Sequence, residues 1–267
     1  MVSKNSFKKD KYTLEDLRDI VKILRQPDGC PWDAEQTHKS IRAGLLEEAY
    51  EVADAIDNED DIALCEELGD LVLQVVFHAQ IALEEEKFDL DDVADGICKK
   101  LILRHPHVFG DVVAKTSDQV LDNWDLIKRE EKSQKTYTDT LVSVPRAFPS
   151  LMRSAKVQKR AAKAGFDWKE VDGALDKLTE ETAELKEALK TKNQADIDEE
   201  FGDLLFAAVN VSRFIKTDAE EALSKATDKF IKRFSAVEKE VLALGRDMKE
   251  LSLEELDAIW NSIKHKI

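Results

Sequence analysis

The sequence predicts an all-α protein of two tandem helical-bundle units, and three observations support this. Apolar residues recur every three or four positions along most of the 267 residues, which is the period of a helix with one buried face. The prolines fall between these periodic segments, where a missing N–H breaks no helix: Pro27, Pro31, Pro106, Pro145 and Pro149. An acidic motif occurs twice with identical internal spacing.

Capping boxes predict several helix starts, because a hydroxyl and an acidic side chain three residues later satisfy free N–H groups of the first turn. These pairs are Thr13 with Asp16, Thr217 with Glu220, and Ser252 with Glu255. The segment 64–83 carries apolar residues at helical spacing and predicts a long, largely buried helix. Before it, residues 58–61 (Asn-Glu-Asp-Asp) predict a turn in which Asp60 or Asp61 caps the next helix.

The acidic motif is EExxE followed, after fifteen residues, by ExxD, and its two copies are offset by 133 residues. Lys99-Lys100 matches Lys232-Arg233 at the same offset, and Trp32 with Trp168 and Trp124 with Trp260 match at an offset of 136. This register predicts a duplicated unit. We expect domains at 1–132 and 150–267, joined by a polar, proline-closed linker at 133–149. A homodimer is the simpler expectation, because paired amphipathic helices need a partner for a wide apolar face.

Each copy of the motif predicts four converging carboxylates, because residues three apart share one helix face and two such helices can pair antiparallel. The predicted metal ligands are Glu48, Glu51, Glu67 and Asp70 in the first copy, and Glu181, Glu184, Glu200 and Asp203 in the second. Oxygen ligands without His or Cys indicate Mg²⁺, with Mn²⁺ as a substitute. The adjacent Glu47 and Glu180 are candidates to orient an attacking water or a second ion.

Each of these residues also has an ordinary structural interpretation. In a chain with 36% charged residues, a single EExxE is usually a solvated helix face. The second copy in the same register favours a function, because most other Glu and Lys positions differ between the copies. Candidate phosphate-binding cations are Lys177, Lys229, Lys232 and Arg233, although an isolated surface lysine usually serves solubility. Trp124 and Trp260 are candidates to stack on a base, although Trp on an amphipathic helix more often packs in a core.

Composition narrows the possible partners and location. The net charge of −16 opposes binding to nucleic acid and to anionic membranes. The sequence contains no run of 18 apolar residues, so we expect no membrane span. Its three cysteines lack paired spacing and fit free thiols, so we expect a cytoplasmic protein. The sequence also lacks a P-loop, so any nucleotide chemistry would depend on helices and a metal.

The EExxE and ExxD motifs at this spacing resemble the all-α nucleoside triphosphate pyrophosphohydrolases. Three further segments resemble the MazG family in particular: Gly29-Cys30-Pro31-Trp32-Asp33, Arg104-His105-Pro106-His107-Val108-Phe109, and Lys159-Arg160-Ala161-Ala162 with Gly165-Phe166-Asp167-Trp168. The resemblance covers nearly the whole chain. It implies Mg²⁺-dependent hydrolysis of nucleoside triphosphates to monophosphate and pyrophosphate, broad base tolerance, homodimers, and a role in nucleotide-pool house-cleaning or stress control.

The resemblance also implies roles for single residues. It places Lys177, Lys229 and Arg233 at the phosphates and Trp260 near the nucleotide. The first copy has Gly44 and Gly96 at the positions of Lys177 and Lys229, and candidate substitutes there are Lys99, Lys100, Arg104 and Lys128. We therefore expect the second copy to be the more complete site. The alternative function is a non-catalytic metal-binding helical interaction module. A di-iron bundle is disfavoured, because it would need paired ExxH motifs, which the sequence lacks.

Overall fold

The computed structural model describes residues 8–264, apart from the side chains of residues 118, 122 and 125. Every regular element in this part of the chain is a helix, which confirms the predicted all-α class. The chain divides into two compact units, Met1–Ile127 and Lys128–Ile267. No helix of the described residues has the length and apolar character needed to cross a membrane.

The first unit is built on a helical hairpin. Its helices are α1 (Leu14–Leu24), α2 (Pro31–Glu35), α3 (Arg42–Asp57), α4 (Asp61–Glu84), α5 (Leu90–Arg104), α6 (Pro106–Phe109) and α7 (Ser117–Glu131), the last of which crosses the boundary between units. Helices α3 and α4 form the hairpin, and α1 packs on α4. The core between them contains Val21, Ile41, Val76, Phe77 and Ile81.

The second unit repeats the hairpin. Its helices are α8 (Tyr137–Val142), α9 (Ser150–Lys163), α10 (Val171–Thr191), α11 (Gln194–Phe214), α12 (Ala219–Ala243) and α13 (Leu253–Ile263), with a short 3-10 helix at Met248–Glu250. Helices α10 and α11 form the hairpin, and α9 packs on both α11 and α12. A separate cluster of Val237, Val241 and Ile263 holds α12 against α13.

The turns of the two hairpins are equivalent. Asp60 caps α4 by accepting hydrogen bonds from the N–H groups of Ile62 and Ala63, both at 3.0 Å, as the sequence predicts. Asn193 caps α11 in the same way by accepting from Ala195 N–H at 3.1 Å. The residue before each cap lies in the left-handed region, with φ of 54° at Glu59 and 56° at Lys192. The hairpins therefore keep the 133-residue register in their backbone as well as in their acids.

Two of the three predicted capping boxes are confirmed, those at Thr13 and Ser252. The prediction for Thr217 is wrong, because α12 begins one residue later and Asp218 is its cap. The Asp218 carboxylate accepts from the N–H groups of Glu220 and Glu221 at 2.9 and 3.1 Å. A carboxylate at this position also interacts favourably with the positive end of the helix dipole.

The segment 133–149, which the sequence analysis treats as a linker, contains α8. Thr136 and Asp139 form a capping box at its start, and Val144 beyond its end is buried. Arg160 of α9 donates hydrogen bonds to the Thr140 carbonyl and, at 2.8 Å, to the Ser143 hydroxyl. Helix α8 thus packs on α9 within the second compact unit. Its stability comes from a cap and tertiary contacts rather than an apolar stripe.

Candidate active site

The second hairpin brings carboxylates of both its helices together. One carboxylate oxygen from each of Glu181, Glu184 and Glu200 lies within 4.8 Å of the others. Glu181 is buried with 4% exposure, whereas Glu184 is exposed at the edge of the cluster. Asp203, one turn beyond Glu200 on α11, adds its charge to the same cluster. The structure therefore assembles three of the four predicted ligands directly, with the fourth beside them.

Desolvation and mutual repulsion both raise carboxyl pKa values in this cluster. Desolvation, the hydrogen bond with Glu181 and the charge of Glu181 raise the pKa of Glu184 above the ordinary carboxyl range. Desolvation and the charges of Glu181 and Asp203 likewise raise the pKa of Glu200. Carboxylates held this close are stabilised in their ionised form by a cation. Because all the donors are hard oxygen atoms, the set fits a hard divalent metal ion.

Lys177 lies one turn before Glu181 on α10 and contacts the cluster. Its Nζ is 2.7 Å from a carboxylate oxygen of Glu181 and 3.1 Å from one of Glu180. These hydrogen bonds, with Glu181 the larger cause, raise the pKa of Lys177. The ammonium therefore stays charged at neutral pH, at the place where the sequence predicts a phosphate-binding cation.

The first hairpin holds an equivalent cluster. One oxygen from each of Glu48, Glu67 and Asp70 lies within 4.8 Å of the others. Desolvation is the main cause of a raised pKa at both Glu48 and Glu67, and the Asp70 charge adds to each. Glu51 interacts with both of these glutamates. All four predicted ligands of this unit are therefore in or beside the cluster.

A cavity of about 390 Å³ opens beside the second cluster, between α10 and α11. It is lined by Ala183, Glu184, Glu187, Ala188, Thr191, Asp196 and Glu200. Two of these residues, Glu184 and Glu200, belong to both the cluster and the cavity. A volume of this size lies within the range of pockets that hold small molecules. Sequence reasoning missed Glu187, Thr191 and Asp196, because no spacing signal separates them from other surface residues.

The other predicted phosphate-binding residues of the second unit lie on α12. Lys229 and Lys232 are exposed, and no ion pair joins either of them or Arg233 to a carboxylate among residues 8–264. Arg233 donates to the Lys264 carbonyl at 3.3 Å and lies 6.0 Å from the Trp260 ring. Trp260 packs half-buried on the α12–α13 cluster, with its ring 5.4 Å from Phe230. The structure thus groups Arg233 with Trp260 on α12 and α13 rather than joining them to the carboxylates.

The corresponding residues of the first unit serve local contacts. Lys99 pairs with Asp95 on its own helix, which raises the pKa of Lys99, and Lys100 is exposed. Trp124 lies edge-on to His105 with ring centroids 4.9 Å apart. His105 and Pro106 form the junction between α5 and α6.

Sequence reasoning also missed Gln74, which lies on α4 across from Glu48. Its Nε2 approaches a Glu48 carboxylate oxygen at 3.5 Å, and it fills the space beside Gly44. The only signal in the sequence was the paired change at an offset of 133, from Gly44 and Gln74 to Lys177 and Ala207.

Comparison with known proteins agrees with this geometry. The model of the MazG nucleotide pyrophosphohydrolase domain matches residues 36–109 and 170–237, the stretches that carry the two hairpins. The chain is 46% identical over 256 residues to a nucleoside triphosphate pyrophosphohydrolase of Escherichia coli strain K12, covering 95% of this chain and 97% of that protein. It is 45% identical over 250 residues to the nucleoside triphosphate pyrophosphohydrolase/pyrophosphatase MazG of Thermotoga maritima, covering 94% and 95% respectively.

A third relative is the uncharacterized protein YabN of Bacillus subtilis, 46% identical over 248 residues, of which this chain covers 50%. The family model falls on both copies of the acidic hairpin, and two of these relatives align over nearly their whole length. This chain belongs to the MazG nucleotide pyrophosphohydrolase family.

Proposed function

We propose that the chain hydrolyses nucleoside triphosphates to nucleoside monophosphate and pyrophosphate, with Mg²⁺ held by the carboxylates of the second hairpin. The observation that carries this proposal is the contact between Lys177 and the cluster of Glu181, Glu184 and Glu200, which puts a permanent cation beside a metal-binding set of acids. Family membership and the names of the full-length relatives support the reaction. Mn²⁺ is the expected substitute ion, since it takes the same oxygen ligands.

Each group of the site has a distinct task in this reaction. When bound, the metal ion neutralises phosphate charge and lowers the pKa of a water molecule. Glu181, Glu184, Glu200 and Asp203 hold that ion, and Lys177 binds a phosphate oxygen. Glu180, exposed and in contact with Lys177, positions the water that attacks phosphorus. Since Glu184 and Glu200 also line the cavity between α10 and α11, we place the nucleoside there.

The remaining candidate residues belong to the same proposal. Lys229, Lys232, Arg233 and Trp260 approach the phosphates and the base when substrate is bound. In the first unit Glu47 takes the position of Glu180. A second metal ion is held there by Glu48, Glu51, Glu67 and Asp70. The nearest counterparts of the α12–α13 residues are Lys99, Lys100 and Trp124. We also propose domains at 1–132 and 150–267, a homodimer, and a cytoplasmic location with no nucleic-acid or membrane partner.

Product analysis tests the reaction and its location. Wild-type protein with Mg²⁺ and each nucleoside triphosphate is expected to give monophosphate and pyrophosphate in equal amounts. Glu181→Gln with Glu184→Gln should reduce kcat at least about a hundredfold, because the ligands that stabilise transition-state charge are lost. The matched control is Glu48→Gln with Glu51→Gln, which should retain most of the activity.

Loss of activity only in the Glu48 and Glu51 variant would move the active site to the first unit. No monophosphate from any nucleotide would contradict the enzymatic function and leave a non-catalytic metal-binding module.

A further inference from the structure

In each acidic cluster a glutamate accepts from a side chain of its own hairpin. The donor lies on the first helix of the hairpin in the second unit, and on the second helix of the hairpin in the first unit. In the second unit Lys177 of α10 reaches Glu181 at 2.7 Å, and the α11 residue that corresponds to Gln74 at the 133-residue offset is Ala207. In the first unit the position of Lys177 is Gly44, and the position of Ala207 is Gln74, which approaches Glu48 at 3.5 Å. The change at one position is therefore matched by a change at the other.

In the first unit these two positions lie next to each other across the hairpin. A Cβ added at Gly44 would lie 3.1 Å from Gln74 Nε2, closer than ordinary van der Waals contact. A side chain at position 44 would therefore require the Gln74 amide to shift by a few tenths of an ångström. At these two positions the second unit has a cation and the first unit has a neutral amide.

The two donors differ in what they do to an incoming metal ion. Lys177 neutralises one carboxylate charge and occupies an oxygen of Glu181, which is 4% exposed. A divalent cation arriving alone must displace that ammonium or bind beside a like charge. Gln74 imposes no such repulsion on the first cluster, because its amide carries no net charge.

We infer that Lys177 is a resident counter-ion that makes metal binding at the second cluster depend on the triphosphate, whereas the first cluster binds a free divalent ion on its own. This inference rests on the proposed function of the second cluster. A triphosphate supplies the anionic oxygens to which the displaced ammonium moves. The second unit therefore takes up metal together with nucleotide, and Gln74 frees the first unit from that requirement.

Mn²⁺ binding to the full chain without nucleotide tests this directly. The double variant Glu181→Gln, Glu200→Gln keeps only the first cluster intact. The double variant Glu48→Gln, Glu67→Gln keeps only the second. Binding is measured as the decrease of the free Mn²⁺ signal in electron paramagnetic resonance. We expect the first cluster to bind Mn²⁺ roughly tenfold more tightly than the second, given the energy of one like-charge contact at this distance. Because the triphosphate itself chelates Mn²⁺, each titration is compared with a protein-free solution of the same Mn²⁺ and α,β-methylene ATP, and relative to it the analogue should tighten binding only at the second cluster.

Exchange of the donors is the decisive variant. In the background that keeps only the second cluster, Lys177→Gly with Ala207→Gln should raise Mn²⁺ affinity to that of the first and abolish the effect of the nucleotide analogue. Lys177→Met alone should raise the affinity of that cluster for Mn²⁺ without requiring any repacking. Lys239→Met, on the exposed face of α12, removes the same charge away from the cluster and should change nothing.

Equal Mn²⁺ affinity of the two clusters, or an unchanged affinity after the donor exchange, would overturn the inference while leaving the hydrolysis reaction intact. Absence of Mn²⁺ binding at both clusters, even with the nucleotide analogue, would overturn the proposed metal site as well. Circular dichroism of every variant separates these outcomes from a loss of fold.

Discussion

In both clusters the surroundings of the carboxyl groups disfavour their ionised forms. The pKa values of Glu200 and Glu67 are raised, so the fold favours their protonated forms. A raised pKa in the folded state means that the metal-free protein loses stability as pH rises from the ordinary carboxyl range through the raised value. Without a bound cation, the ionised carboxylates therefore destabilise the folded protein most at neutral pH, where the enzyme is expected to work.

This predicts a stabilising substitution in the metal-free protein. Glu200→Gln keeps the shape of the side chain and removes a repelling charge, so it should raise the free energy of unfolding at neutral pH. The loss of stability with rising pH should also become smaller. Denaturant titrations in the presence of a chelator, at several pH values between 4 and 8, measure both effects.

Addition of Mg²⁺ should reverse the order, because only wild type retains the full ligand set. Glu238→Gln, an exposed carboxylate on α12, is the control and should leave the pH profile unchanged. A destabilised Glu200→Gln variant without metal would show that its carboxylate makes a favourable contact instead.

A single glycine in the segment between α1 and α2 has a steric reason to be there. A Cβ at Gly29 would lie 2.3 and 2.4 Å from the carbonyl oxygens of Ile23 and Leu24. Because these are backbone atoms, they cannot rotate away. Gly29→Ala should therefore destabilise the first unit by about 2 kcal/mol, in the range of overpacking costs, as measured by urea denaturation.

Gly96 on α5 provides the matched control, because a Cβ there meets nothing within 4 Å. Gly96→Ala should stabilise the protein by up to about 1 kcal/mol through helix propensity. A neutral Gly29→Ala variant would mean that the turn after α1 can shift without loss.

At the level of helices, the two hairpins follow from the sequence because helical periodicity fixes which acids share a face. The spacing of Glu181 and Glu184, and of Glu200 and Asp203, is sufficient to predict convergence once the helices pair. Gln74 was not predictable in this way, since it acts across the hairpin and no spacing within one helix reveals it. Helix α8 was missed although Thr136 and Asp139 have the spacing of a capping box, because no apolar stripe follows them and its contacts with Arg160 are tertiary.

The α8 segment permits a direct test of that view. Thr136→Ala removes the hydroxyl that accepts from Asp139 N–H and caps α8. Loss of such a cap costs about 1 kcal/mol, and the second unit should lose that much stability in a denaturant titration. Thr227→Ala is the control, because Thr227 is exposed and its hydroxyl donates to the Leu223 carbonyl one turn earlier on α12. An unchanged stability of Thr136→Ala would show that α8 contributes nothing to the second unit.

At the scale of the whole molecule, each compact unit has a buried cluster of its own among the described residues. Val76 in the first is 2% exposed and Val241 in the second is fully buried. Replacing either with alanine deletes buried methyl groups and should cost about 2 kcal/mol. Because the cavities form in different units, the loss of unfolding free energy in the double variant should equal the sum of the losses in the two single variants within about 0.5 kcal/mol. A clearly larger or smaller loss in denaturant titrations would show that the cores are coupled.

The reciprocal exchange of donors also constrains how the two copies diverged after duplication. A lysine opposite a glutamine would require the glutamine amide to shift, and a glycine opposite an alanine would leave the first glutamate of the pair without this donor. Neither half-step reproduces a present-day site. The two positions are therefore epistatic, and a residue-by-residue alignment of the copies would score Gly44 as a lost lysine when the donor has moved to the facing helix.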